Sequence, residues 1–149
     1  MPLTAFGPEI IIIAGALLVL LFETVMVRRS APIAAVLTGL VFLVAFADSL
    51  FLLFTATEGG PYVWSSVLQA DGFAWLIKAF MTGGAFFIWL FSWPYLRLRV
   101  KALSEFCFLI LTSTFGLMLV VSSTNFIMFI VALETASIGM YVLSAMMQQ

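Results

Sequence analysis

Five long apolar segments constrain how this chain folds more than any other feature of its sequence. Crossing the hydrocarbon core of a bilayer takes about 20 predominantly apolar residues. Five stretches come close to or exceed that length, at residues 9–27, 33–54, 73–93, 105–122 and 126–147. Since lipid offers the backbone no hydrogen-bond partners, such segments must form helices. Breaker-rich connections separate them: RRSAP, TEGGPY, SWPYLRLRVK and SSTN. The sequence predicts an all-α, polytopic membrane bundle of five transmembrane helices.

Composition supports a membrane protein and argues against a soluble domain. The 149 residues are 64% hydrophobic and only 9% charged, whereas soluble domains carry about 25% charged residues. There is no histidine, and the single cysteine, Cys107, lies in an apolar run. A metal site needs more ligands than this, and no glycine-rich strand-to-helix turn suggests a nucleotide cofactor. We therefore expect the chain to bind no metal and no cofactor.

The cations predict the orientation of the bundle. Two follow the first segment, three follow the third, and together they are five of the six in the chain: Arg28, Arg29, Arg97, Arg99 and Lys101. These two connections lie on the same side of the membrane, and the positive-inside rule places that side in the cytoplasm. The N-terminus is then outside and the C-terminus cytoplasmic.

Three carboxylates lie near the ends of the first two segments. Glu9 follows Pro8, and we expect it to face the dipole at a helix N-terminus and to remain hydrated. Glu23 lies about one turn from the cytoplasmic end, where a snorkelling or paired carboxylate is expected. Asp48 lies about two turns from the outer end of the second segment. It is a candidate for a polar contact facing the bundle, and the sequence leaves its role open.

Lys78 and Glu105 each have a structural and a functional interpretation. Lys78 lies about 9 Å into the third segment, so its stem can snorkel towards water. It also follows Asp71 by seven residues on the same helix face, which allows a pair closed through water. Proton transfer and a structural role are balanced for Lys78. Glu105 begins the fourth helix, where the macrodipole favours a carboxylate by roughly 0.3–1 kcal/mol, and proton entry is the second interpretation.

Glu134 is the carboxylate placed deepest in the membrane. It lies about 12–14 Å from the outer end of the fifth segment, near the centre of a roughly 30 Å core. Inserting an ionised residue there costs about 2.5–3.5 kcal/mol, so we expect Glu134 to be protonated part of the time or paired with a cation. Ser137 and Tyr141 share its face, as proton relay or as packing. The structural alternative is a neutral glutamic acid hydrogen-bonded across a helix interface.

Small residues predict close packing of the last two helices. Thr135 and Gly139 form a small-xxx-small pair in the fifth segment, and Gly116 lies in the fourth. Such residues let two helix backbones approach closely. They indicate a tight bundle and no particular function.

Three stretches resemble one known family. GPEIIIIAGALLVLLFE, ADGFAWLIKAF and SEFCFLILTSTFGLMLVVSSTNFIMFIVALETASIGMYVL resemble the N-terminal part of subunit N, an antiporter-like membrane subunit of the proton-translocating NADH–quinone oxidoreductase known as respiratory complex I. The resemblance covers nearly the whole chain, and its most specific block runs over residues 105–143. It implies that Glu134 matches the key fifth-helix glutamate of a proton channel. Glu105 would match the carboxylate that begins the fourth helix.

The resemblance also divides the chain. Members of the family have about fourteen helices, including two inverted five-helix repeats that begin at the fourth helix. Residues 1–103 would then be three peripheral helices, and residues 104–149 the first two helices of an incomplete repeat. A lysine partner for Glu134 is expected on a later, broken helix. This chain would be a truncated product, a portion of the subunit or one part of a split subunit.

The resemblance implies a membrane-arm subunit, or a fragment of one, that takes part in proton translocation coupled to NADH oxidation and quinone reduction. No redox chemistry is expected in this chain. The expected partners are other membrane subunits of complex I, the remainder of the same subunit and the lipid of an energy-transducing membrane, most simply the bacterial inner membrane; nucleic acid is not expected. Two alternatives remain at this point: a self-contained small proton-coupled transporter using Glu134, and a purely structural membrane subunit.

Overall fold

The computed structural model describes residues 2–25, 30–55, 61–64, 66–99 and 103–146, with the backbone alone at residues 2–3, 30–32, 64 and 95–99. Five of its helices are long and apolar enough to cross a membrane. The described elements, in chain order, are a short 3-10 helix at Pro2–Phe6, α1 at Gly7–Val25, α2 at Ser30–Thr55, β1 at Tyr62–Trp64, β2 at Leu68–Ala70, α3 at Gly72–Arg99, α4 at Leu103–Ser122 and α5 at Phe126–Met146.

The five predicted spans are confirmed, with one clear difference in their bounds. Helix α3 continues past the predicted end at residue 93, through Pro94, to Arg99. Most of SWPYLRLRVK, which the sequence presents as a connection, is therefore helical. Proline removes one backbone donor and crowds the preceding turn, but helices in membranes tolerate it where local adjustments satisfy the freed carbonyl groups.

The predicted orientation is not settled by the fold. Arg28, Arg29 and Lys101 lie outside the described residues, and the side chains of Arg97 and Arg99 are not described. The placement of the N-terminus outside and the C-terminus in the cytoplasm stays a prediction.

The first four helices pack against one another, and consecutive helices run in opposite directions. A Cβ atom at Gly7 would collide with Asp48, and one at Gly15 would collide with Val41. Later residues of α1 therefore contact earlier residues of α2, so the two helices are antiparallel. Helix α4 contacts all four other long helices, whereas α5 packs mainly against α4. The apolar core of this group lies between α1, α2 and α4, around Ile12, Ala16, Phe42, Cys107 and Leu111.

Small residues bring α4 and α5 together, as the sequence predicts. A Cβ atom at Gly116 would lie 2.6 Å from the backbone nitrogen of Ala136, and one at Gly139 would collide with the hydroxyl of Ser113. Thr135 is not among the buried residues of α5, and its hydroxyl donates to the carbonyl of Val131 one turn earlier on the same helix, at 2.8 Å. The α4–α5 contact thus depends on its glycines.

A two-stranded antiparallel hairpin, which the sequence analysis did not predict, lies between α2 and α3. Strands β1 and β2 pair with Val63 opposite Gln69, and Ser66 in the connecting turn has a left-handed φ of 55°. Thr124, between α4 and α5, donates its amide to Val67 at 2.9 Å and its hydroxyl to Ser66 at 2.8 Å. The hairpin is therefore fastened to the turn between α4 and α5. We call this end of the bundle, where α1, α3 and α5 begin, the hairpin end.

An apolar cluster covers the bundle at the hairpin end. Its buried members come from the 3-10 helix, α2, β2 and α3: Ala5, Phe6, Leu52, Ala70 and Trp75. The indole nitrogen of Trp75 donates to the carbonyl of Ala5 at 3.1 Å. Asp71 caps α3, accepting the amide of Ala74 at 2.8 Å, which stabilises the exposed donors of a helix N-terminus. Polar groups beneath this cluster are thereby shielded from water.

Candidate functional site

A buried ion pair joins α1 to α3 beneath the apolar cluster. The Nζ atom of Lys78 lies 2.5 Å from Oε1 of Glu9, and the two side chains are 0% and 4% exposed. The expectation of a hydrated Glu9 is wrong, and the partner of Lys78 is Glu9 rather than Asp71, with which the sequence spacing allows a pair. Asp71 is engaged as the cap of α3, and the folded bundle leaves Glu9 and Lys78 without access to water. Buried charges require a close partner.

Helix direction explains why these two residues meet. Glu9 lies about 3 Å from the start of α1 and Lys78 about 9 Å from the start of α3, and both helices begin at the hairpin end. Side chains on a helix tilt towards its N-terminus, so the long stem of Lys78 extends back to the level of Glu9. The sequence does contain a signal for this pair. Two opposite charges lie at similar depths on helices that start on the same side of the membrane.

Neighbouring groups complete the environment of the pair. The hydroxyl of Ser122, the last residue of α4, donates to Oε1 of Glu9 at 3.1 Å. The ammonium of Lys78 lies 5.3 Å from the centroid of the Phe6 ring, within the range of a cation–π interaction. Residues from four elements thus hold Glu9 and Lys78 in place.

Asp48 joins this group from α2. Its Oδ2 atom is shielded from solvent and lies against the backbone at Gly7, where any Cβ atom would collide with it. Gly7 precedes Glu9 by two residues in the first turn of α1, so Asp48 lies beside the turn that carries Glu9. The role that the sequence left open is therefore a contact facing the bundle. We call Glu9, Asp48 and Lys78 the polar triad.

Glu134 has the opposite environment. The buried residues of α5 are Ala132, Ala136 and Gly139, which face α4, and Glu134 is exposed on another face. Among the described residues its carboxylate forms no ion pair. Tyr141 is 73% exposed and Ser137 half-buried, in keeping with the predicted shared face. Helix α5 therefore presents a carboxylate, a phenol and a hydroxyl that this chain leaves largely uncovered.

Glu105 lies at the end of the bundle opposite the polar triad. It is exposed in the first turn of α4, where a carboxylate favours the helix dipole. The structure thus does not bring Lys78, Glu105 and Glu134 into one site. Lys78 is buried with Glu9, Glu105 lies at one membrane face, and Glu134 lies near the middle of a span.

A groove of about 450 Å³ is lined by α3, α4 and α5, and its lining is mostly apolar, from residues such as Phe80, Ile88, Ile110 and Leu143. Glu134 is not among its lining residues. Within the described part of the chain, no three potential metal ligands come together. The groove is therefore suited to lipid or apolar side chains rather than to ion exchange at Glu134.

Comparison with known proteins gives relatives of one kind. NAD(P)H-quinone oxidoreductase subunit 2, chloroplastic, of Mesostigma viride is 30% identical over 142 residues, covering 95% of this chain and 28% of the relative. NADH-quinone oxidoreductase subunit N of Bartonella bacilliformis is 30% identical over 138 residues, covering 93% and 27%. Subunit N of Granulibacter bethesdensis is 32% identical over 143 residues, covering 95% and 29%. The chain spans less than a third of the length of these curated relatives. No protein-family model matches it.

The fold has a counterpart in a solved structure. A chain of respiratory complex I from Thermus thermophilus with bound aureothin superposes with a TM-score of 0.72 and 21% sequence identity, covering 91% of this chain and 28% of that chain. This likeness concerns the arrangement of the helices. With the five apolar helices and the related sequences, it identifies this chain as a multi-pass protein of an energy-transducing membrane that is homologous to the N-terminal part of complex I subunit N.

Proposed function

We propose that this chain takes part in proton translocation within the membrane arm of a complex I type NADH–quinone oxidoreductase. Its partners would be other membrane subunits of that complex, and NADH oxidation and quinone reduction would occur outside this chain. The lack of histidine and the single cysteine support a chain that holds no redox cofactor. The observation that carries the proposal is the position of Glu134, an exposed carboxylate near the middle of a membrane span.

The depth of Glu134 requires further protein on its face of α5. Glu134 lies about 12 Å from the start of α5, too deep for a short glutamate side chain to reach the interface. Left in lipid, an ionised carboxylate costs about 2.5–3.5 kcal/mol. A protein surface that covers this face and supplies a cation or a hydrated path removes that cost. A carboxylate in that setting can gain and lose a proton as a neighbouring charge changes.

The other candidate residues have subsidiary roles in this proposal. Ser137 and Tyr141 lie on the side of α5 that carries Glu134 and would hold water or relay its proton. Glu105, exposed at the opposite end of the bundle from the polar triad, would exchange protons with water at that membrane face. Lys78 would take part only through its ion pair with Glu9.

The geometry favours a complex subunit over a self-contained transporter. A transporter built from this chain alone would need Glu134 to face an enclosed cavity. Instead Glu134 is exposed and does not line the groove between α3, α4 and α5. The transporter alternative therefore requires a homo-oligomer in which a second copy of this chain covers the exposed face of α5. Cation–proton exchange by this chain alone distinguishes such a transporter from a complex subunit.

The decisive experiment compares Glu134→Gln with Glu134→Asp in the assembled complex. Glutamine keeps the shape and hydrogen bonding of glutamate but cannot ionise, so NADH-driven proton pumping in membrane vesicles should fall by about tenfold or more, equivalent to roughly 1.4 kcal/mol in a barrier. Aspartate retains a titratable group and should pump better than glutamine. Native gels should show normal assembly of both variants.

Ile138→Val is the matched control, since Ile138 shares the exposed side of α5 but carries no charge; it should pump normally. Wild-type pumping by Glu134→Gln, or failure of both Glu134 variants through loss of assembly alone, would make Glu134 a structural residue. Exchange of cations for protons in liposomes by this chain alone, purified as a monomer or as a homo-oligomer, would rule out the subunit proposal.

A further inference from the structure

The polar triad contains more hydrogen-bonding capacity than its protein partners use. Oε1 of Glu9 receives both Lys78 and the hydroxyl of Ser122. Among the described residues, Oε2 of Glu9, Oδ2 of Asp48 and Nζ of Lys78 are inaccessible to solvent and have no hydrogen-bond partner, apart from the ion pair itself. Glu9 is 3% exposed and Lys78 0%. Buried polar atoms without partners are costly, so these atoms point to a ligand of the site.

The charges of the triad identify that ligand. Two carboxylates and one ammonium group leave one negative charge uncompensated when all three are ionised. Burying an unpaired charge is far more costly than burying a neutral group, and ionisable side chains respond by changing protonation. One proton makes the group neutral, and it can sit on the carboxylate that the ammonium does not occupy.

No other described group at the hairpin end supplies the missing positive charge. The 3-10 helix at Pro2–Phe6 contains no ionisable side chain, and α4 contributes the neutral hydroxyl of Ser122. Asp71 is held by the first turn of α3. The Tyr62 ring lies 6.0 Å from that of Trp75 in the covering cluster. The balance of charge is therefore set within the triad.

We propose that Glu9, Asp48 and Lys78 form a second proton-binding site, separate from Glu134, which holds one exchangeable proton on one of its two carboxyl groups. The ammonium of Lys78 stabilises the carboxylate that remains ionised. Asp48, which is half-buried, provides the connection between the site and the membrane face at the hairpin end. Proton binding here does not depend on the proposed function, because it follows from the charges and burial within this chain.

The site can be tested by infrared spectroscopy of the full chain in lipid nanodiscs. All variants carry Glu134→Gln, so that Glu134 contributes no signal, and ¹³C-labelled aspartate distinguishes Asp48 and Asp71 from the glutamates. At neutral pH the carbonyl stretch of a protonated carboxyl group should correspond to one proton per chain and should shift in D₂O. Either Asp48→Asn or Glu9→Gln should abolish it, because each leaves one carboxylate balanced by Lys78.

Replacing Lys78 is expected to increase the signal of protonated carboxyl groups. Lys78→Met leaves the buried Glu9 and the half-buried Asp48 without a cation, so the signal of protonated carboxyl groups should rise about twofold. The matched controls are Asp71→Asn, which changes an aspartate outside the triad, and Glu23→Gln, which changes a glutamate near the other end of α1; both should keep the wild-type signal.

Two results would overturn the proposal: no protonated carboxyl signal at neutral pH in the Glu134→Gln protein, or a signal that Asp48→Asn leaves unchanged. Circular dichroism checks that each variant remains helical. If Glu9→Gln or Lys78→Met fails to fold, Asp48→Asn decides by itself, because asparagine has the size of aspartate and residue 48 is only half-buried. Loss of pumping in Glu134→Gln with an intact triad signal would separate the two sites.

Discussion

Two glutamates in apolar helices of this chain have opposite environments. Glu9 is 3% exposed and paired with Lys78, whereas Glu134 is exposed and has no ion pair among the described residues. Each adjoins an aliphatic run, since Glu9 precedes IIIIA and Glu134 follows IVAL. The difference shows that the depth of a charge sets its cost, while the packing of helices decides which group compensates it.

The same contrast extends to the helices that carry these groups. The hydroxyl of Ser122 in α4 donates to Glu9. Half of the apolar membrane-spanning stretch of α4 is buried inside the protein, compared with 17% of that of α5. Helices α1 to α4 therefore complete the environment of Glu9 within this chain. Helix α5 contributes one face to α4 and leaves the face with Glu134 for another surface.

The largest expected effect is the loss of the buried cation. Lys78→Met leaves the buried carboxylate of Glu9 without a cation, and breaking a buried ion pair costs about 3–5 kcal/mol. Denaturant unfolding of the full chain in mild detergent measures this loss. The double variant Glu9→Gln/Lys78→Met should recover most of it, because no charge is then left without a partner in the pair. A double variant as unstable as Lys78→Met would show that Glu9 and Lys78 do not act as a pair.

The next effect tests how α5 is attached. Gly116→Ala forces a Cβ atom to within 2.6 Å of the backbone nitrogen of Ala136, and overpacking of this kind costs about 1–3 kcal/mol. Gly84→Ala, in α3, is the control, because no atom lies within 4 Å of its Cβ position. Thermal unfolding in detergent should lower the midpoint for Gly116→Ala only. Equal midpoints would mean that α5 does not approach α4 at this glycine.

A smaller effect is expected at the cap that positions Lys78. Asp71→Ala removes the acceptor for the amide of Ala74, and loss of such a cap costs about 1 kcal/mol. Asp71→Asn keeps an acceptor and should lose less than half as much stability. Denaturant midpoints of the two variants measure the difference. If Ala and Asn behave alike, the hydrogen bond of the cap does not stabilise α3.

The smallest effect on stability is expected at Glu134. In the isolated chain, Glu134→Gln should not lower the free energy of unfolding, because among the described residues the carboxylate has no ion-pair partner to lose. The same substitution in the assembled complex should reduce pumping. A destabilisation of the isolated chain similar to that of Lys78→Met would show that Glu134 is compensated within this chain, and the contrast between the two glutamates would fail.

The number of helices, their approximate limits and the depth of each charge follow from the sequence alone. Lipid leaves no alternative to a helix for a run of about 20 apolar residues, so the pattern of hydropathy determines the spans. It also placed Glu134 near mid-membrane and Ser137 and Tyr141 on its side of the helix, because residues three and seven positions apart share a face. The continuation of α3 through Pro94 does not follow from the hydropathy pattern. A proline favours the end of a helix but does not enforce it.

Only the tertiary structure decided which charges meet. The sequence gives Glu9, Asp48 and Lys78 a depth but no direction, and the hydrated Glu9 and the Lys78–Asp71 pair were the simplest assignments that local spacing allowed. The antiparallel packing of α1 and α2, the common starting end of α1 and α3, and the hairpin that covers that end bring the three together. Such contacts join residues far apart in the chain, and no local pattern encodes them, because a helix face is apolar whether it meets lipid or another helix.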